Sequence, residues 1–516
     1  MTAPPAAVMP GVGAAPPSVA PPSVAPPRGS PHVVVIGGGV CGLYAARVAA
    51  GAGLNVTVLE RDDVVGGLAA GRRIEGNWID LGTHHLHAFD AAIFDDVRAI
   101  MGTRLRPIEK LALVRYGRGF RRYPLAFGDL LRGIPPWTLA RALFGLVGQQ
   151  LVNRLRPRAA VDAEQALIAL YGLPLYRFFF RDFTARYWGM SPRALSATFV
   201  RRKMPRLSAI DIVKRALAPL GFRDARGAAV DSALAEETLW YGVRGSGEMP
   251  TALAEHVEAC GGRIITSAPV TAVETAGGRV VAVRYRPAGA GAGTAADDAG
   301  DVRLACDAVI NTAPINHIVP RFDPPPPPDV TAAAAALRHR PMVAYAFLIR
   351  RPRVLNALYV YYRDRRFHRL AEPKNSGLAI DPPDHTLLLA ELMCAPDDGL
   401  WRGDPDAVAD VVRDLEAEGV CRADEIVRLH VVRAPEAYPV FDLGFEPHLE
   451  ALQSFVARWP NAWSVGRQGG FGYPNMHAAM REGATAAEKA VAIVQAARAA
   501  EPQDEALPAD PVRISA

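Results

Sequence analysis

Two hydrophobic patterns alternate at the start of the chain. Val33 to Ile36 is an unbroken β-branched run that stops at glycines, which predicts a short buried strand. It leads into Gly37-Gly-Gly39-Val-Cys-Gly42, after which Leu43 to Ala50 is apolar and rich in helix formers. Leu54-Asn-Val-Thr-Val-Leu predicts a second strand, and Glu60 follows it directly. A strand, glycine turn, helix, strand and terminal acid within about thirty residues is the arrangement of a dinucleotide site. Gly37 permits the tight turn, Gly39 lets backbone approach a diphosphate, and Gly42 lets the helix lie close to the strand. The helix start offers free N–H groups to phosphate, and Glu60 would accept hydrogen bonds from a ribose.

Further along, the patterns change character. Asn77 to Leu81 predicts a strand, and Arg115 to Tyr123 a hairpin around Gly117 to Gly119. From Phe127 to about Leu217 apolar positions recur at helical spacing. The longest apolar stretch, Trp137 to Val152, is interrupted by Arg141 and is too short to cross a bilayer. A helix packed between domains is expected there, with an amphipathic helix touching a membrane as the alternative. Thr251 to Cys260 predicts a helix, Val270 to Glu274 a strand, and 287–300 a flexible Gly/Ala insertion. Pro324 to Pro328 is a stiff spacer, 333–450 is strand-rich, and a closing helix is expected from His477 to about Arg498.

Composition narrows the class. At 516 residues the chain exceeds one compact core, so two or three domains are expected. Half the residues are hydrophobic and 22% are charged, the balance of a globular enzyme. The net charge of +5 is small and comes from arginine, since lysine occurs only at Lys110, Lys203, Lys214, Lys374 and Lys489. No nucleic-acid partner follows from it. The cysteines at 41, 260, 306, 394 and 421 are scattered and lack metal spacing, as in a reduced cytoplasmic protein. Residues 1–30 and 501–516 read as flexible tails, the first Pro/Ala-rich and without the basic start and apolar core of a signal peptide.

Beyond Glu60, the phrase Arg61-Asp-Asp-Val-Val-Gly66-Gly67 resembles the second phosphate-contacting loop of a large FAD superfamily. That superfamily holds amine oxidases, protoporphyrinogen oxidase, phytoene desaturase and UDP-galactopyranose mutase. The resemblance implies FAD, with Gly66 and Gly67 against its diphosphate, Arg61 or Arg73 near its charge, and Val270 at the adenine.

Several narrower phrases resemble the mutase branch. Gly82-Thr-His84-His85-Leu-His87 is similar to the loop that mutases place over the flavin ring. The clustered histidines invite a metal reading, but the region offers no further suitable ligand. Tyr187-Trp188-Gly189, Arg338-His339-Arg340, Arg369-Leu-Ala-Glu372-Pro-Lys374 and Tyr438-Pro439-Val440 are similar to substrate-side phrases. So is Arg202-Lys203-Met204-Pro205-Arg206, with its second arginine one place early. Gly466-Arg467-Gln-Gly-Gly-Phe-Gly472-Tyr473-Pro-Asn475-Met476-His477 resembles the mutases' flavin and phosphate turn, departing from it at Gly472, Asn475 and His477.

The resemblance implies catalytic roles for His84, His87, Arg369 and Arg467. It puts Gly466 and Met476 beside the flavin, and Trp188, Arg340, Lys374, Tyr438 and Tyr473 at the substrate. The implied fold is α/β. A Rossmann-type FAD domain is assembled from 31–114, 226–330 and 453–500, with a helical domain at 115–225 and an antiparallel-sheet substrate domain at 331–452. The implied activity is pyranose–furanose isomerisation of a nucleotide sugar on reduced flavin, in cell-surface polysaccharide synthesis, and a homodimer is compatible with it. An oxidoreductase of the protoporphyrinogen oxidase, amine oxidase or desaturase type is the alternative. The three departures also leave open an FAD-binding protein without chemistry.

Overall fold

The computed structural model describes residues 31–116, 119–123, 136–155, 158–203, 238–287 and 300–500. Its organising layer is a five-stranded, all-parallel sheet. The strands run in the order Ala462–Ser464, Ala308–Asn311, His32–Ile36, Asn55–Leu59, Arg263–Ile265. Helices cover one face and a second, four-stranded sheet packs on the other, which is why Val33 to Ile36 is continuously apolar rather than alternating. The helix Val40–Gly51 follows the central strand and packs its alanines against the closing helix Met476–Ala500. The approach is so close that a Cβ on Gly483 would lie 2.3 Å from the carbonyl oxygen of Cys41.

The sheet thus draws on three stretches far apart in sequence, as expected. Asn461, fully buried, stitches two of them together. Its amide accepts from Val280 N at 3.0 Å and donates to Val280 O at 2.8 Å and Asp307 O at 2.7 Å. A four-stranded sheet containing Val270–Ala276, Arg279–Tyr285, Val302–Ala305 and Phe322–Asp323 adjoins it. Most of the Gly/Ala insertion, 288–299, lies outside the described residues. The proline run does not act as a spacer throughout: Pro328 begins the helix Pro328–Ala336, where its missing N–H costs nothing.

The strand-rich region forms a seven-stranded sheet. Its order is Ile426–Pro439, His339–Ile349, Thr386–Met393, Arg369–Ala371, Tyr359–Tyr361, Ala112–Tyr116, Gly119–Arg122. Here the structure corrects the sequence reading. The hairpin expected to open the helical region instead extends this sheet, pairing Ala112–Tyr116 in parallel with Tyr359–Tyr361. The helical region contains Pro136–Leu155, Ala163–Leu175, Arg181–Trp188 and Ala197–Lys203. Residues 204–237, including Met204 to Arg206 and the rest of the expected helical stretch to Leu217, lie outside the described residues.

Candidate active site

One long cavity runs from the end of the parallel sheet to the seven-stranded sheet. It is lined at one end by Glu60, Arg61 and Val270, in the middle by Gly37, Gly39, Gly66 and Gly67, and beyond them by His84, Arg467 and Met476. Gly42 and Gly466 lie a layer behind, where side chains do not fit. A Cβ on Gly42 would meet Gly37 O at 2.0 Å, and one on Gly466 would meet Cys41 Sγ at 2.8 Å. Gly39 is the opposite case, since a Cβ there would touch nothing within 4 Å. The helix it caps has no side-chain cap and no acid in its first turn. Open space in front of bare N–H groups at a helix start is a cradle for an anion.

The two glycine loops are tied together. Gly66 N donates to Gly38 O at 2.8 Å, and the Glu60 carboxylate accepts from Gly38 N at 2.7 Å and Asp62 N at 2.8 Å. Burial raises the Glu60 carboxyl above its ordinary value, and these two N–H groups oppose the rise. At the cavity wall Arg61 reaches across to Glu436 at 3.2 Å, joining the parallel-sheet end to the strand Ile426–Pro439.

The histidine loop is held from both ends. At its base Asp80 is buried and accepts from the Tyr241 hydroxyl and from Ser246 N, while burial pushes its carboxyl up to about 6. At its far end Leu86 and Trp240 exchange backbone hydrogen bonds of 2.9 and 3.0 Å. Between them His84 donates from Nδ1 to Gly82 O at 3.2 Å, because a carbonyl can only accept. Burial, then the Arg369 charge, lowers His84 to about 4. The ring is therefore neutral at pH 7, with Nε2 as a hydrogen-bond acceptor. In this state His84 has no second N–H to donate from Nε2. A turnover–pH profile should accordingly show no step at the ordinary histidine value of 6.5 and should fall only as pH approaches 4. A clear inflection near 6.5 that disappears in His84→Gln would refute this.

The other predicted residues divide. His87 stacks on Phe89 at 4.9 Å and is not among the cavity-lining residues. Arg369 forms a two-pronged pair with Glu391, Nε to Oε1 at 2.8 Å and Nη2 to Oε2 at 2.7 Å. Glu391 has no solvent exposure and also accepts from Thr83 N at 3.1 Å, with His368 Nε2 at 3.2 Å. Burial alone would raise its carboxyl, but Arg369 and His368 outweigh that and hold it well below the usual range. Arg369 also lies over the rings of Tyr359 and Tyr361, at 5.6 and 5.7 Å.

Tyr438 is the hub of the remaining set. It is the cross-strand neighbour of Arg340, so the two side chains share a sheet face. Arg467 lies 5.5 Å over its ring, and the rings of Tyr187 and Trp188 stand 5.8 and 6.3 Å away. Arg340 rests against Gly189, where a Cβ would lie 2.7 Å from its guanidinium and where the φ of +67° favours glycine. Burial lowers the Arg340 pKa, and its Nε has no hydrogen-bond partner. Arg467 donates to Pro474 O at 3.2 Å. Among the described residues neither arginine has a carboxylate at ion-pair distance.

Three expected substrate contacts are placed otherwise. Trp188 is buried among aromatic rings and does not line the cavity. Tyr473 donates its hydroxyl to Pro439 O, which occupies the proton meant for a phosphate. Lys374 donates to Pro383 O and His385 O, both at 2.7 Å, and so fastens a loop. Glu391 was missed from sequence, although it is the single charge in the strand Thr386–Met393, all of which is buried. Such a residue must have a partner, and that was the available clue.

A family model for flavin containing amine oxidoreductases matches residues 40–417 of this chain. The chain belongs to that family. Its cofactor is FAD, and the glycine cradle, Glu60 and Val270 are the residues that would hold the diphosphate, ribose and adenine ends. A reduced UDP-galactopyranose mutase shares the fold, with a TM-score of 0.71 at 19% identity, over 90% of this chain and 94% of that one. The cyclohexylamine oxidase of Brevibacterium oxydans does so with a TM-score of 0.61 at 15% identity, over 90% and 100%. Over 90 residues, 17% of each chain, this family member is 41% identical to the phytoene dehydrogenase of Streptomyces griseus. Over 57 residues, 11% of each chain, it is 51% identical to the L-amino-acid oxidase of Notechis scutatus scutatus. The chain therefore matches less than a fifth of the length of these two relatives.

Proposed function

We propose that the protein is an FAD-dependent mutase that isomerises the sugar of a nucleoside diphosphate sugar between pyranose and furanose forms. The observation that carries this is the pair of arginines beside Tyr438, Arg467 on the cavity wall and Arg340 behind it, with no carboxylate at ion-pair distance among the described residues. A half-buried cation without a counter-ion is costly, and a dianionic diphosphate would relieve the cost at both residues. Arg369 serves differently. Its charge is balanced by Glu391, so it positions the His84 loop, through Thr83, rather than neutralising substrate. The bound flavin, once reduced, supplies the nucleophile for the anomeric carbon. Arg340 and Arg467 hold the diphosphate leaving group, and neutral His84 offers an acceptor to a sugar hydroxyl or a nearby N–H.

The oxidoreductase reading draws on the tyrosines around Arg369 and on the oxidase neighbours. Two uncompensated arginines would repel a protonated amine, so its substrate would have to be neutral or acidic.

The test is to incubate dithionite-reduced, FAD-loaded protein with a panel of nucleoside diphosphate hexoses and chromatograph the products. A furanose isomer is expected. Arg340→Ala and Arg467→Ala should each lower kcat/KM by about 10–100-fold, the worth of one or two charge-assisted hydrogen bonds, with the flavin spectrum unchanged. No furanose from any sugar, with steady hydrogen peroxide from a lipophilic substrate, would establish the oxidase instead.

A further inference from the structure

The helix Pro136–Leu155 turns large apolar side chains towards water. Its inner face carries buried Leu146 together with polar side chains: Gln150 and Asn153 both donate to Ala169 O of the helix Ala163–Leu175. Its outer face carries large apolar ones. Trp137 is 73% exposed, Phe144 80% and Leu155 72%, and Val147 and Leu151 are exposed between them. At 100° per residue, residues 137, 144, 151 and 155 fall within a narrow stripe, directly opposite Leu146. The helix cannot simply roll over to bury that stripe. A Cβ on Gly145 would lie 2.6 Å from Pro174, and one on Gly172 would lie 2.9 Å from Gly145, so only glycine fits where the two helices touch.

Along the chain, the charges within and beside this helix have one sign. Between Asp129 and Asp162 there is no acid, while Arg132, Arg141, Arg154, Arg156 and Arg158 fall in that interval. An exposed apolar stripe with basic flanks and a tryptophan near one end is the composition of a helix that lies in a bilayer interface. The helix is not long and apolar enough to cross one. A second copy of the chain fits this face less well, because it would set arginine against arginine with no acid to pair.

We propose that the helix Pro136–Leu155 docks the enzyme on an anionic lipid surface, with Phe144 and Leu151 inserted among acyl chains and Arg154 and Arg158 at the headgroups. The experiment is co-sedimentation of the full-length, FAD-loaded protein with phosphatidylcholine vesicles that contain or lack phosphatidylglycerol. The wild type should pellet with the anionic vesicles and much less with the neutral ones. Phe144→Asp/Leu151→Asp should cut partition at least about tenfold, as two inserted apolar side chains would require. Arg154→Glu/Arg158→Glu should weaken it while leaving the apolar stripe in place. Both variants change exposed positions, and an unaltered flavin absorbance shows that they are folded. Wild type that stays in the supernatant, equal partition into both vesicle types, or variants that bind like wild type each overturn the proposal. A concentration-dependent dimer that is lost in the apolar variant, without vesicle binding, assigns the face to a second copy and overturns it too.

Discussion

Arg369→Ala is expected to destabilise the folded protein by roughly 3–5 kcal/mol, the cost of leaving one partner of a buried ion pair uncompensated. Glu391 has no solvent exposure, and two of its strongest contacts come from the Arg369 guanidinium. The direction with pH follows from the same geometry. In the wild type the folded Glu391 carboxyl is held below its unfolded value. Its stabilisation is therefore present above the ordinary carboxylate range and is lost only as pH falls through the lower folded value. Without Arg369, burial would instead push that carboxyl up, so the variant is penalised most at neutral pH. The stability gap between the two proteins should narrow as the solution is acidified. Arg369→Met/Glu391→Leu should recover most of the loss, since two apolar groups of similar bulk leave no buried charge. Denaturant unfolding followed by circular dichroism measures all three proteins. A single variant as stable as wild type at neutral pH would refute the pairing. A simple loss of turnover in Arg369→Ala therefore does not by itself reveal a phosphate ligand.

Gly42→Ala should yield protein unable to retain FAD. The added methyl would lie 2.0 Å from a backbone oxygen, Gly37 O, and 2.9 Å from Thr312 Oγ1, so the helix must move off the strand that positions the phosphate cradle. The informative control is Gly39→Ala, where the methyl meets no protein atom within 4 Å. That variant should fold with the thermal stability of wild-type apoprotein and still bind FAD weakly, because its methyl occupies the ligand's space. Flavin absorbance per protein after gel filtration, alongside thermal unfolding of the apoproteins, separates the two effects. Gly42→Ala loaded like wild type would show that the close packing is not required.

The parts of this molecule governed by local chemistry were legible from sequence. The glycine spacing, the acid after the second strand and the β-branched runs each follow from backbone geometry within a few residues, and they led to the parallel sheet and the cavity along it. The return of the chain to that sheet, seen at Arg263–Ile265 and Ala462–Ser464, was implied by the family resemblance; no strand pattern announced the second of these. Side-chain roles that depend on distant partners were not. Lys374 looked like a substrate cation until two backbone carbonyls claimed it, and Tyr473 looked like a phosphate donor until Pro439 took its proton. Trp188 was expected in a pocket, but the aromatic cluster that encloses it is assembled from four separate stretches of chain. The apolar stretch Trp137 to Val152 was recognised as a helix, but hydrophobic spacing alone does not say whether a stripe faces inward or outward.

The packing of the helix Met476–Ala500 on Val40–Gly51 has a consequence for how the protein is made. The phosphate cradle is synthesised more than 400 residues ahead of its backing helix and the edge strand Ala462–Ser464. At typical elongation rates of 5–20 residues per second, the nascent fingerprint waits roughly 20–80 seconds for its neighbours. The strand His32–Ile36 gains its partner Asn55–Leu59 almost at once, but its other partner, Ala308–Asn311, follows only about 270 residues later, and until then that edge is open to wrong pairings.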